Sequence, residues 1–126
     1  MPFFIIAGAV NAFIAVAFGA FGAHALKEKL SEKYLAICET AVQYQMYHAI
    51  GLIVIGILMS TNIIGNVAQL SWAGYLMLAG IVIFSGSLYV LSLSGIGILG
   101  AITPIGGVAF LSAWVLVIVA AVKHMN

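Results

Sequence analysis

Residues 40–122 contain no Asp, Glu, Lys or Arg and read TAVQYQMYHAIGLIVIGILMSTNIIGNVAQLSWAGYLMLAGIVIFSGSLYVLSLSGIGILGAITPIGGVAFLSAWVLVIVAAV. A helix that crosses the hydrocarbon core of a bilayer needs about 20 mostly apolar residues. The stretch is therefore long enough for three crossings with short connections. Turn-forming residues interrupt it near 60–70 and 93–103, so we predict membrane helices at 40–59, 71–93 and 104–122. Thr103 is suited to cap the last of them. Trp72 and Tyr75 near one end of the 71–93 helix and Tyr89 near the other are placed as interfacial aromatic anchors.

The N-terminal residues 1–26 are also free of those four charged types, and we predict a first membrane helix at 3–23. Met1-Pro2-Phe3-Phe4 has no basic side chain, which is atypical of a secretory signal peptide. Only 6% of the 126 residues are charged and 65% are apolar, whereas soluble domains carry roughly a quarter charged residues. The sequence therefore predicts an all-α integral membrane bundle of four transmembrane helices, forming a single domain over residues 1–126.

Six of the seven charged residues lie in the segment between the first and second helices. Apolar residues recur at helical spacing within residues 24–39, so we predict a short amphipathic segment in the membrane interface. Ser31 is suited to cap a helix that leads into the second span. Three of the four lysines lie in this segment, and the positive-inside tendency places it in the cytoplasm with both termini outside.

Small side chains follow one stripe of the first helix, at alternating spacings of four and three residues. Small residues let two membrane helices approach closely, so this stripe predicts the densest helix packing. The stripe consists of Gly8, Ala12, Ala15, Gly19 and Gly22.

The first half of the second helix is unusually polar for a membrane span. Its polar side chains form two adjacent ridges that we expect to share one broad face. The ridges are Thr40, Tyr44 and His48, and Glu39, Gln43 and Tyr47. Asn11 and His24 of the first helix complete the candidate site. Polar groups inside hydrocarbon either hold helices together through hydrogen bonds or mark a ligand or ion site, and both interpretations stay open.

The sequence lacks the residues that several kinds of chemistry require. Residues 95–100, GIGILG, match a dinucleotide-binding pattern, but no acidic residue follows Glu39, so we expect no nucleotide. The net charge of +1 gives no basis for binding nucleic acid. No catalytic set of Ser, His and acid can be assembled, and Cys38 is the only cysteine, so we expect neither an enzyme nor a metal site. Haem held by His24 and His48 stays open as an alternative cofactor.

Four motifs in order resemble the YgdD/YwdK-like family of small multi-pass bacterial membrane proteins of unknown function. They are GAFGAH at 19–24, TAVQYQMYHAIG at 40–51, FSGSLY at 84–89 and TPIGG at 103–107. The resemblance implies the bacterial cytoplasmic membrane. It implies no activity and no established site.

These observations favour a non-enzymatic binding or structural protein that contacts a lipid, a small amphiphile or a partner helix through the polar half of the second helix. Membrane lipids and further copies of the chain are the expected partners. One alternative is a small channel or carrier with Gln43, Tyr47 and His48 along its path. Another is a haem-binding redox protein that uses His24 and His48.

Overall fold

The computed structural model describes residues 2–60 and 63–125 and contains four helices that are long and apolar enough to cross a membrane. We call them α1 (Phe3–Leu26), α2 (Glu32–Ser60), α3 (Ala68–Ser94) and α4 (Thr103–His124). Each predicted helix lies within one of these four. The predicted all-α membrane bundle is therefore confirmed.

The short amphipathic segment predicted at 24–39 is divided between the end of α1, a turn and the start of α2. Residues 24–26 end α1, residues 27–31 form the turn, and α2 begins at Glu32 rather than Thr40. The Ser31 hydroxyl accepts a hydrogen bond from the Tyr34 backbone N–H at 3.3 Å, so Ser31 caps α2 as predicted. Extending α2 keeps the backbone groups of residues 32–39 hydrogen-bonded as the chain enters the apolar layer.

The connection from α3 to α4 occupies the glycine-rich residues 95–102. Gly95 ends α3 with a left-handed backbone at φ +72°, which glycine adopts without the cost of a Cβ clash. A single 3₁₀ turn, Gly97–Ala101, follows. The prediction that Thr103 caps α4 was wrong. Thr103 is already the first helical residue, and its hydroxyl instead contacts the Ser87 hydroxyl at 2.6 Å.

Two helices contain a π-helical segment, Ala17–Gly22 in α1 and Ile81–Ser85 in α3. Such segments carry one extra residue per turn and often occur at functional sites. Both flank the same part of α2: Gly19 lies beside Val42, and Ser85 donates a hydrogen bond to the Ala41 carbonyl at 2.8 Å. Both α1 and α3 therefore change from α-helix to π-helix where they pass the polar half of α2.

The helices pack in sequence order, with α1 along α2 and α4 along α3, while α3 also packs on α2. Gly8 of the predicted stripe faces Ala49 and Ile53 of α2, and Ala15 is fully buried. Ala12 lies outside this contact, in an open groove on α1, and a Cβ at Gly22 would meet Phe18 of its own helix.

The main apolar core joins all four helices. Its buried members are Phe4, Leu52, Ile55, Leu70, Ala73, Met77, Ile81, Phe110, Ala113 and Ala120. Large apolar side chains cover the outer surface as well, as expected for helices that face lipid tails. Trp72 and Tyr75 are exposed near the start of α3, as predicted for interfacial anchors. Tyr89, predicted as the anchor at the other end, points inward instead.

Candidate functional site

Gln45 joins three helices through its side-chain amide. Its Nε2 donates to Asn11 Oδ1 of α1 at 3.1 Å, and its Oε1 accepts from the Tyr89 hydroxyl of α3 at 2.7 Å. Asn11 in turn donates to the Ala7 carbonyl at 2.8 Å. Gln45 is 4% exposed, and each polar atom of its amide has a partner. The arrangement explains why Tyr89 points inward, where its ring stacks on Phe18 at 4.7 Å.

His48 joins α2 to α4 through its imidazole ring. The Trp114 Nε1–H can only donate, so His48 Nε2 accepts that hydrogen bond, 3.0 Å long. His48 Nδ1 lies 2.7 Å from the Tyr44 carbonyl and must then carry the proton. The ring also stacks on Phe110, with centroids 3.5 Å apart and planes 9° apart. Both ring nitrogens and one ring face are therefore engaged within the bundle.

A cavity of about 420 Å³ lies beside His48, between α2 and α4. Its lining is almost entirely apolar and aromatic. The lining residues are Tyr44, His48, Phe84, Pro104, Gly107, Val108, Phe110, Leu111 and Trp114. Val108 and Leu111 at its edge are exposed, so the cavity opens sideways on the surface that faces lipid. Molecules dissolved in the bilayer can reach it without crossing the aqueous phase.

The candidate polar residues do not share one site, because the structure divides them between two faces of α2. Glu39 and Gln43 line a smaller cavity of about 220 Å³ next to Gly19 of α1. Tyr44 and His48 line the cavity on the α4 side. The polar face predicted for α2 is therefore broad enough to contact two different helices, α1 on one side and α4 on the other.

The remaining predicted residues lie apart from both cavities. Tyr47 is 56% exposed and contacts the edge of the Tyr44 ring. The Thr40 hydroxyl donates to the Ala36 carbonyl of its own helix at 3.1 Å. His24 is exposed in the last turn of α1 and is not among the ring neighbours of His48, which are Tyr44, Phe110 and Trp114.

No group of three or more His, Cys, Asp or Glu side chains with metal-binding geometry occurs in residues 2–60 and 63–125. The Nε2 atom of His48, through which a histidine would bind haem iron, is the acceptor for Trp114. A haem ligand at this position would require that hydrogen bond to break.

Sequence reasoning did not select the partners that define both sites. Gln45 lies in the polar half of α2 but off the two predicted ridges. Trp114, Phe110 and Phe84 come from helices far along the chain, and a single sequence gives no signal for their contact with His48. A weak signal existed for Tyr89, since a tyrosine inside an apolar run needs a hydrogen-bond partner.

Comparisons with known proteins identify relatives over nearly the whole chain. A family model described as a protein of unknown function (DUF423) matches residues 18–107. The chain is 54% identical to the UPF0382 membrane protein YwdK of Bacillus subtilis over 125 residues, covering 99% of this chain and all of the relative. It is 54% identical to a UPF0382 membrane protein of Staphylococcus epidermidis over 123 residues, with 98% of each chain covered. No solved structure matches. The resemblance drawn from the four motifs is confirmed.

Proposed function

This chain belongs to the DUF423 family, and we propose that it is a non-enzymatic protein of the bacterial cytoplasmic membrane that binds an amphiphilic molecule entering sideways from the bilayer. The observation that carries the proposal is the cavity between α2 and α4. At about 420 Å³ it falls within the range of small-molecule sites, roughly 300–1,000 Å³, and it has the aromatic lining typical of them.

The hydrogen bonds of Gln45 support a structural role for the polar layer rather than a path for ions or solutes. A path requires polar groups that can exchange partners with the permeating species. The Gln45 amide instead closes a chain of bonds between Asn11 and Tyr89. The His48–Trp114 hydrogen bond favours an amphiphile over haem as the occupant of the α2–α4 region, because it already engages the Nε2 atom that haem iron would need.

Filling the cavity tests the proposal. A Cβ at Gly107 would lie 4.0 Å from Phe84 Cδ2, an ordinary contact, and a larger side chain would extend into the cavity. We expect native mass spectrometry of gently extracted wild-type protein to show a bound small molecule, and we expect Gly107→Leu to abolish it. Gly107→Ala should retain it. The same spectra report the number of copies, which we predict to exceed one.

A second filling variant serves as the control for position. Gly86 lines a separate cavity of about 260 Å³ between α1 and α3, and nothing lies within 4 Å of an added Cβ there. Gly86→Leu should leave the bound molecule in place. Loss of the molecule in Gly86→Leu but not in Gly107→Leu would move the site to the other cavity and contradict the proposal.

A further inference from the structure

The aromatic residues that line the α2–α4 cavity, and the hydroxyl group of one of them, Tyr44, indicate what kind of molecule fits. We infer that the ligand is a quinone-type amphiphile, with a planar, electron-poor ring that carries carbonyl groups and with an apolar tail. The inference rests on the proposed function, because it names the ligand class of the same cavity.

The first argument is that four aromatic residues besides His48 line the cavity. Tyr44 packs against Phe84 with centroids 4.6 Å apart, and Phe110 lies beside both Phe84 and His48. Trp114 also lines the cavity, with its ring centroid 5.8 Å from that of His48. The face of an aromatic ring is negative, so a ring that carbonyl groups have depleted of electrons finds favourable packing partners among these four residues. A saturated acyl chain would gain nothing from the negative ring faces.

The Tyr44 hydroxyl supplies the second argument. In the ranges 2–60 and 63–125 no hydrogen-bond acceptor is recorded for it, and Tyr44 is 38% exposed. Tyr44 lies within the uncharged stretch 40–122, about 8 Å along α2 from Glu39 at 1.5 Å per residue. A phenol in hydrocarbon is stabilised by an acceptor that comes with the ligand. Since both His48 nitrogens are engaged, Tyr44 is the free donor of the cavity, and a carbonyl oxygen is the matching acceptor.

The shape of the cavity supplies the third argument. It has a volume of about 420 Å³ and opens beside Val108 and Leu111, which are 62% and 69% exposed. An apolar tail can leave through this opening into the bilayer while the ring stays between the helices. A headgroup with a full charge would have to be desolvated at this depth, which is costly.

Tryptophan fluorescence tests the inference, because the chain has only two tryptophans. The Trp72→Phe variant leaves Trp114, which lines the cavity. Trp114→Phe leaves Trp72, which is 63% exposed, is not among the residues that line this cavity, and serves as the control. Both variants are placed in lipid nanodiscs and titrated with a decyl-substituted benzoquinone. We expect saturable quenching of Trp114 and only a weak, linear decrease for Trp72, which reports quinone dissolved in the lipid.

Adding Tyr44→Phe to the Trp72→Phe variant should weaken the apparent affinity about tenfold, the effect of one hydrogen bond worth somewhat more than 1 kcal/mol. Decanoic acid, which has the tail without the ring, should not compete. Linear, equal quenching of both tryptophans, or unchanged affinity in Tyr44→Phe, would overturn the inference. If Gly107→Leu still lost a co-purifying molecule in that case, the cavity would remain the binding site and only the ligand class would be wrong. If wild-type protein carried no molecule either, the proposed function would fail as well.

Discussion

Gly106→Ala is expected to lower the free energy of unfolding by about 1–3 kcal/mol, the usual cost of adding a methyl group to a packed interior. An added Cβ would lie 2.7 Å from Phe84 Cβ and 2.8 Å from Phe84 Cα, and closer still to the Phe84 backbone nitrogen. Backbone atoms cannot rotate away, so α4 would have to separate from α3. Circular dichroism of the helical signal during heating in a mild detergent measures the loss.

The neighbouring glycine provides a matched control for this prediction. Gly107 lies in the same turn of α4, but its added Cβ would meet only Phe84 Cδ2 at 4.0 Å. Gly107→Ala should therefore unfold at or slightly above the wild-type temperature, since alanine favours the helix more than glycine does. Equal effects of the two substitutions would show that α3 and α4 do not pack in the described way.

Gln45→Leu is the second substitution with a large expected effect. It removes the hydrogen bonds to Asn11 and Tyr89, each worth about 0.6 kcal/mol on average between membrane helices and at most about 1.7. It also leaves the Asn11 carbonyl oxygen and the Tyr89 hydroxyl without these partners, which adds to the cost. We expect a loss of about 1–3 kcal/mol in the same unfolding measurement.

Gln43 offers the control for Gln45, because it has the same side chain on the same helix but is exposed. Gln43→Leu should change stability by less than about 0.5 kcal/mol. A double-mutant cycle of Gln45→Leu with Tyr89→Phe should give a coupling energy, since the two side chains share one bond. Strict additivity of the two stability changes, or equal losses of stability in Gln43→Leu and Gln45→Leu, would contradict the hydrogen bond between Gln45 of α2 and Tyr89 of α3.

The sequence was sufficient to predict the four helices, because the distribution of charge identifies the membrane stretches and turn-forming residues near 60–70 and 93–103 divide the longer one. The start of α2 was harder to predict. Charges at Lys33 and Glu39 suggested a surface segment, but backbone hydrogen bonding favours one continuous helix across the interface. Thr103 shows a similar limit: its hydroxyl reached Ser87 on another helix rather than its own helix end.

The candidate site could be predicted only in part, because pairing between helices depends on rotation about their axes. The polar composition of α2 identified the helix that carries the site. It did not show that Gln45 faces α1 and α3 while His48 faces α4. One residue corresponds to about 100° of rotation, so neighbours in sequence meet different helices. The aromatic lining from Phe84, Phe110 and Trp114 has no local pattern that would connect it to His48.

If the cavity between α2 and α4 holds one kind of membrane molecule, site-specific photo-crosslinking in intact cells should trap that molecule. The photo-reactive residue p-benzoylphenylalanine would replace Leu111 at the edge of the cavity or, as the comparison, Leu93 on the outer surface of α3. We expect irradiation to give a single adduct of discrete mass at position 111 and the mixed masses of bulk phospholipids at position 93. The same phospholipid mixture at both positions would show that bulk lipid, and no specific ligand, occupies the cavity.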